Sequence, residues 1–213
     1  MGDIVKTLTK FAFCLLGACA MMYSAAAQDV VNTVVGGGPN NIPGVNANLY
    51  NPYQVAVDAA GNVYVAASAQ HRIFKISTTG TETVVAGTGT SGYFGDGGQA
   101  VKAELATPWG VAVDSASPAN VYIADTDNCL VRKVNQTSGV ITTIAGLVTV
   151  PTSGNPYATC GYAGDGGAAN KAEMYYPSAL AINPTTNDLY ITDRKSTRLN
   201  SSHLARSRMP SSA

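Results

Sequence analysis

The fold is decided by the stretch TPWGVAVD at residues 107–114, followed by NVYIAD at 120–125 and VRKV at 131–134. The same order occurs twice more in the chain. The upstream copy reads NPYQVAVD (51–58), GNVYVA (61–66) and RIFKI (72–76), and the downstream copy reads YPSALAIN (176–183) and DLYITD (188–193). Each part is a short run rich in β-branched and aromatic residues, and turn-forming residues separate the runs. The pattern predicts three copies of one all-β unit.

A further β-rich run precedes each unit, at residues 32–36, 82–87 and 141–146. Two glycine-rich loops also recur between units, GYFGDGG at 92–98 and GYAGDGG at 161–167. The tyrosines Tyr64, Tyr122 and Tyr190 are separated by 58 and 68 residues. A propeller blade needs about 40–45 residues, so we expect the excess to form the loops between units.

Together these motifs (PxGVAVD, NxYIAD, VRKV, ITTIAG and GYxGDGG) resemble NHL repeats, which are blades of a β-propeller. They are most similar to the long-loop kind found in secreted bacterial proteins, and the likeness covers residues 31–193. It implies an incomplete propeller with about two and a half to three blades, since rings close at roughly four to eight. The chain departs from the repeat pattern in three places. The first unit lacks the GDGG loop, Ala67 stands where an aspartate is expected, and Asn183 stands where the other two units have Asp58 and Asp114.

The first 27 residues have the layout of a secretory signal peptide. Lys6 and Lys10 precede an apolar run of 13 residues at 11–23, and small residues follow at 24–27. This run is shorter than the ~20 residues of a membrane span. We favour cleavage after Ala27 over a lipoprotein attached through Cys19. The expected location is therefore secreted, periplasmic or at the cell envelope, with no transmembrane span after cleavage.

The last segment, residues 194–213, resembles the translation of a sequencing-library adapter, and we exclude it from the predicted domain. The remaining domain, residues 28–193, has six basic and twelve acidic side chains, a net charge of −6. A nucleic-acid partner is disfavoured, because no basic excess exists to neutralise phosphates.

Four aspartates are expected to gather on one face of the blades, together with Trp109. Their carboxylates and nearby carbonyls are the ligand type that calcium prefers. We favour a structural role instead, with Asp96 and Asp165 capping turns whose glycines need positive φ. No other metal or cofactor is expected, and Trp109 is a candidate for stacking on a ligand. The candidate binding aspartates are Asp96, Asp125, Asp127 and Asp165.

Two cysteines remain in the domain after signal cleavage, Cys129 and Cys160. Blade topology places both on the same face, in an exported protein where disulfides persist. We predict a disulfide that pins the loop 147–168, in preference to two free thiols.

The other repeated side chains have structural interpretations. The three repeated tyrosines alternate with aliphatic residues and are expected to pack between blades. Arg132 and Lys133 on the third strand, aligned with Arg72 and Lys75, are expected to form a solvated face. His71 is expected to be a turn residue.

No catalytic constellation is visible, since the domain has one histidine and lacks nucleophile-elbow and phosphate-loop motifs. We therefore predict an exported binding or scaffold module for a protein, peptide or glycan ligand, without favouring an enzyme. The alternative implied by the resemblance is a metal-dependent, lactonase- or lyase-like propeller whose ligands lie in other blades. A third reading is a stalk domain of a longer surface protein.

Overall fold

The first two repeats form two four-stranded antiparallel sheets, which we call blade 1 and blade 2. The computed structural model describes residues 49–149, 157–194 and 205–207, with backbone only for 157–158 and 205–207. Blade 1 contains β1 (Pro52–Val57), β2 (Val63–Ala67), β3 (Arg72–Ile76) and β4 (Glu82–Ala86). Blade 2 contains β5 (Pro108–Val113), β6 (Val121–Asp125), β7 (Leu130–Asn135) and β8 (Val140–Ala145). Strands adjacent in sequence are adjacent in each sheet.

The third repeat forms a three-stranded sheet, blade 3. A small ribbon of β9 (Val148–Thr149) and β10 (Tyr157–Ala158) comes before it. Blade 3 contains β11 (Ala179–Ile182), β12 (Leu189–Thr192) and β13 (Ala205–Ser207). The β13 strand comes from the segment 194–213 and pairs with β12. The described residues thus form the all-β, incomplete propeller that the repeats predicted.

The β-rich runs that precede the second and third units in sequence close the sheets of the units before them. Thus β4 pairs with β3 and β8 pairs with β7. The described residues belong to one compact unit, Val34–Ala213. The predicted signal peptide (1–27) and the run at 32–36 lie outside the described residues. Within the described part of the chain, no helix is long and apolar enough to cross a membrane.

The aspartate at the end of the repeated PxGVAVD motif builds the turn after the inner strand. Asp58 Oδ1 accepts hydrogen bonds from the backbone N–H groups of Ala60 (3.0 Å) and Asn62 (2.9 Å). Its Oδ2 accepts from the Asn62 side chain (2.8 Å) and from the Tyr64 hydroxyl (3.1 Å). Asp114 makes the equivalent set in blade 2. The motif therefore couples one turn to the tyrosine of the next strand.

Apolar faces of neighbouring blades pack against each other, as a stack of sheets requires. Tyr64 and Ile73 of blade 1 lie in one buried cluster with Val111 and Ile123 of blade 2. The opposite face of blade 2 packs on blade 3 through a second cluster. Tyr64 and Tyr122 are both 0% exposed, which confirms them as packing residues between blades.

Candidate binding face

One end of the three sheets collects the starts of the inner strands and the longest loops; we call it the loop face. Pro52 pairs with Ala67 and Pro108 pairs with Asp125, so each inner strand begins beside the end of the second strand. The loop before blade 2 meets the same end, because the Asn128 side chain donates to the Gly92 carbonyl at 2.8 Å. The loop face therefore contains the turn after the second strand and the glycine-rich loop, as the repeat pattern predicted.

The residue before the proline of each repeat has a positive φ: Asn51 (49°), Thr107 (50°) and Tyr176 (51°). This left-handed conformation is costly for residues other than glycine. It turns the chain sharply just before the inner strand in all three repeats. As a result, the side chain after the proline is presented on the loop face.

Arg132 is the centre of a buried polar network beneath the loop before blade 2. Its side chain is 0% exposed, so the predicted solvated position was wrong. It donates to the carbonyls of Glu104 (2.8 Å) and Phe94 (3.4 Å) and to Asp96 Oδ1 (3.3 Å). Its Nη1 also lies 3.6 Å from Asp125 Oδ2. One guanidinium thus holds the loop to the sheet through four acceptors.

Asp96 does not cap the glycine turn around it. Gly95 and Gly97 do adopt positive φ, 85° and 80°, as the GDGG pattern predicted. The Asp96 carboxylate instead pairs with Arg132 and accepts a hydrogen bond from the Thr143 hydroxyl at 3.1 Å. Sequence spacing did not reveal this role, because the arginine comes from a strand 36 residues later.

Asp125 is fully buried, and burial raises the pKa of its carboxyl to about 6. Arg132, the Asn128 side chain at 2.9 Å and the Ala106 N–H at 2.7 Å oppose that rise. Desolvation still outweighs them, as is common for buried ion pairs. Asp125 therefore stabilises the loop and is not accessible to a ligand.

The other two candidate aspartates are exposed on the loop face. Asp127 lies in a 3₁₀ turn (Thr126–Asn128), and its backbone N–H donates to the Ala106 carbonyl at 3.1 Å. Asp165 lies between Gly164 and Gly166, whose φ values are 94° and 79°. Among the described residues, no group of three or more His, Cys, Asp or Glu side chains is placed to hold a metal ion. Calcium binding stays the alternative hypothesis for these aspartates, beside the structural role that the sequence analysis favoured.

A disulfide joins Cys129 to Cys160, the pair predicted from the sequence, with their Cα atoms 5.3 Å apart. Cys129 ends the 3₁₀ turn of blade 2 at a φ of 54°. Cys160 begins the glycine-rich loop that leads to blade 3. The bond therefore ties this loop to the loop face of blade 2.

An aromatic stack lies at the starts of the inner strands. The rings of Tyr53 and Trp109 are 4.9 Å apart and 10° from parallel. Tyr53 is 59% exposed, and Trp109 is half-buried. The Arg194 guanidinium lies 4.5 Å from the centre of the Trp109 ring. Trp109, a candidate from the sequence, thus takes part in ring stacking. Its partner Tyr53 was not among the candidates.

Sheet register shows which positions are equivalent between blades. Tyr64 pairs with Lys75 and Tyr122 pairs with Lys133, so those two lysines are equivalent. Phe74 and Arg132, which precede these two lysines, are therefore equivalent as well. The predicted alignment of Arg72 with Arg132 was wrong. The sequence contained a signal for this network. The GDGG aspartate, the aspartate ending β6 and Arg132 occur together in the second repeat, whereas the first repeat lacks all three.

Gln54 is a further residue that sequence analysis missed. Its Oε1 accepts hydrogen bonds from the backbone N–H groups of Val111 (3.1 Å) and Leu180 (3.2 Å), and its Nε2 donates to the Leu180 carbonyl (2.8 Å). One amide side chain thus joins the inner strands of all three blades. Gly110 leaves room beside it, because a Cβ there would lie 2.8 Å from the Ala124 Cβ and 3.2 Å from Gln54 Oε1.

Comparison with solved structures shows the same fold in bacterial proteins. An auxiliary nutrient binding protein from Bacteroides ovatus matches with a TM-score of 0.53 and 22% identity, over 68% of this chain and 35% of that one. A structural genomics protein of unknown function from Bacteroides thetaiotaomicron also gives a TM-score of 0.53 at 22% identity, over 66% and 32%. At this identity the likeness concerns the fold alone.

Sequence comparison identifies the family. Teneurin-3 of Mus musculus is 34% identical over 162 residues, which are 70% of this chain and 6% of teneurin-3. Teneurin-4 of Homo sapiens is 33% identical over 155 residues, 66% of this chain and 5% of teneurin-4. The chain therefore spans only about one-twentieth of these relatives. The family model of the teneurin NHL domain matches residues 76–197, more than half of the chain. The chain belongs to the NHL-repeat family that the teneurin NHL domain represents.

Proposed function

We propose that this chain is a ligand-binding module whose loop face contacts a protein, peptide or glycan through the Tyr53–Trp109 stack. The observation that carries the proposal is an exposed aromatic surface at the starts of two inner strands. Aromatic rings of this kind contribute contact area at little cost in conformational entropy. They also accept the flat, apolar side of a ligand on the ring face.

The polar groups of the loop face support a binding role over a catalytic one. Asp96 and Asp125 are engaged by Arg132, and Cys129 and Cys160 are joined to each other. These groups hold loops in place and so define the surface around the stack. A site on rigid elements with supported loops is the arrangement that binding surfaces need.

The descriptions of two fold neighbours support a binding role. Two solved neighbours from Bacteroides bear the description auxiliary nutrient binding protein. They share the fold with this chain at 20–22% identity, so the binding role is carried over here as a proposal. Which ligand class is bound is decided by the experiment below.

We further propose that the chain is exported, either secreted or held in the cell envelope, in a bacterial host. A disulfide persists in oxidising compartments and is rare in the reducing cytosol. The Cys129–Cys160 bond fits the first kind of compartment. Cell fractionation followed by N-terminal sequencing tests the proposal, with Gln28 expected as the first residue of the mature chain. Recovery of uncleaved protein in the cytosol would contradict it.

Trp109 is the only tryptophan of the chain, so its fluorescence reports directly on the stack. Titration with arrays of neutral oligosaccharides and of extended peptides should give a saturable change with one of the two classes. Tyr53→Ala should weaken that binding at least about fivefold, the value of one aromatic contact. The matched control is Phe94→Ala, because Phe94 is 67% exposed but is not in the stack.

Arg194 supplies a second variant with the opposite expected effect. Ser68 and Thr126 occupy its position in the other blades, one residue after the end of β2 and β6. Arg194→Ser removes the guanidinium that lies 4.5 Å from the centre of the Trp109 ring and should strengthen binding. If no probe alters the fluorescence in either form, the loop-face binding proposal is wrong.

A further inference from the structure

The Tyr53–Trp109 stack already has a cation beside it in this structure. The guanidinium carbon of Arg194 lies 4.5 Å from the centre of the Trp109 ring. Arg194 is itself exposed, so burial does not force its side chain onto the ring. A guanidinium over an indole is attracted by the negative charge of the ring face, and tryptophan is the aromatic residue that attracts it best. The contact therefore indicates which kind of group this ring accepts.

Hydrogen bonds within blade 3 fix the backbone of Arg194 beside the loop face. The Arg194 N–H donates to the Tyr175 carbonyl at 2.7 Å, and the Tyr175 N–H donates to Asp193 Oδ2 at 3.2 Å. The other two blades have Ser68 and Thr126 at the position of Arg194. The repeat therefore does not require a cation at this position, and the same group can be supplied by a ligand.

Acidic residues adjoin the segments that contact the stack. The Trp109 N–H donates to the Thr126 hydroxyl at 3.2 Å, and the exposed Asp127 is the next residue in the chain. Asp193 directly precedes Arg194. The domain as a whole, residues 28–193, has twelve acidic and six basic side chains. A negative field of this kind attracts a cationic ligand and repels an anionic one.

We propose that the stack binds an arginine side chain of a basic peptide, and that Arg194 occupies the same place within this chain. The inference rests on the binding role proposed above and narrows the ligand to one class. A neutral sugar also stacks on an indole, but it gains nothing from the negative charge of the domain or from the attraction between the ring face and a cation. A guanidinium gains from both, because it is planar, stacks on aromatic faces and always carries its charge.

The test compares two peptides in the full chain with Arg194→Ser, and the fluorescence of Trp109 is the readout. The first peptide is acetyl-Gly-Ser-Arg-Ser-Gly-amide, and the second has citrulline, a neutral group of nearly the same shape, in place of the arginine. The arginine peptide should bind at least about threefold more tightly, the value of one exposed cation–π contact. In the parent chain this ratio should be smaller, because Arg194 competes for the ring. Equal affinities in Arg194→Ser overturn the proposal.

Measurements on the parent chain keep the test decisive if Arg194→Ser does not fold. Added salt should weaken binding of the arginine peptide and leave that of the citrulline peptide unchanged, because salt screens exposed charges. Asp127→Asn should have the same selective effect, about twofold. Equal responses of the two peptides overturn the proposal. If a neutral oligosaccharide binds and the arginine peptide does not, the ligand class is wrong and the loop-face binding role stands; if no probe alters the fluorescence, both are wrong.

Discussion

Blade 1 and blade 2 have the same strands and register but secure their loop-face ends differently. Blade 2 uses Arg132, Asp125 and Asp96, all linked by polar contacts, together with a disulfide at Cys129. At the equivalent positions of β3 and β2, blade 1 has Phe74, which is 1% exposed, and Ala67, which is 0% exposed. The substitutions occur as a set, so the buried pair of Arg132 and Asp125 in blade 2 is replaced as a whole by apolar residues in blade 1.

A further pair of equivalent residues, His71 in blade 1 and Cys129 in blade 2, also differs in chemistry. His71 and Cys129 both end a 3₁₀ turn at positive φ, 50° and 54°. His71 Nδ1 accepts a hydrogen bond from the Thr107 N–H at 3.0 Å, where Cys129 makes a covalent bond to Cys160. Both residues tie the turn to the segment leading into the next blade. Both blades therefore have a bond between this turn and the next segment, a hydrogen bond in blade 1 and a disulfide in blade 2.

The largest effect is expected from Arg132→Gln. Removing one partner of a buried ion pair leaves Asp125 buried without its charged partner, which costs about 3–5 kcal/mol of unfolding free energy. Urea denaturation measures the loss. A loss below about 1 kcal/mol is typical of weak surface ion pairs. It would contradict the role of Arg132 in securing the loop-face end of blade 2.

The matched control gives blade 2 the residues of blade 1, as Arg132→Phe with Asp125→Ala. No buried charge is left without a partner, because Asp96 has 32% of its side chain exposed. This double variant should be more stable than Arg132→Gln, as found when buried ion pairs are replaced by apolar groups.

The second effect is that of the disulfide. Cys129→Ser with Cys160→Ser removes a bond across a sequence separation of 31 residues. The unfolding free energy should fall by about 3–4 kcal/mol, because the unfolded chain regains the entropy of that loop. His71→Ala is the corresponding variant in blade 1 and should cost only about 1 kcal/mol, the value of one hydrogen bond. Thermal melts compare the two, and non-reducing peptide mapping establishes the pairing.

The smallest effect is the pH dependence that Asp125 gives to blade 2, since blade 1 has Ala67 at the equivalent position. The folded pKa of Asp125, about 6, lies above its ordinary value of 3.8, so the folded state holds this proton more tightly. The unfolding free energy should therefore fall as pH rises from about 4 to about 6, by about 3 kcal/mol in total. Burial also raises the pKa of Glu82, so the measured quantity is the difference between the parent chain and Asp125→Asn. Parallel pH profiles for the two would contradict the assignment.

The sequence by itself determined the repeat, the all-β class and the cysteine pair. The repeat and the all-β class depend on alternation and turn chemistry, which are local, and the cysteine pair follows from the two cysteines left after signal cleavage and from the repeat topology. Only the tertiary structure decided that Arg132 is buried, that Gln54 joins three inner strands and that Tyr53 stacks on Trp109. In each case the contacts come from different blades or from a distant loop. Whether a polar side chain is solvated or paired depends on those neighbours, and local sequence periodicity does not specify them.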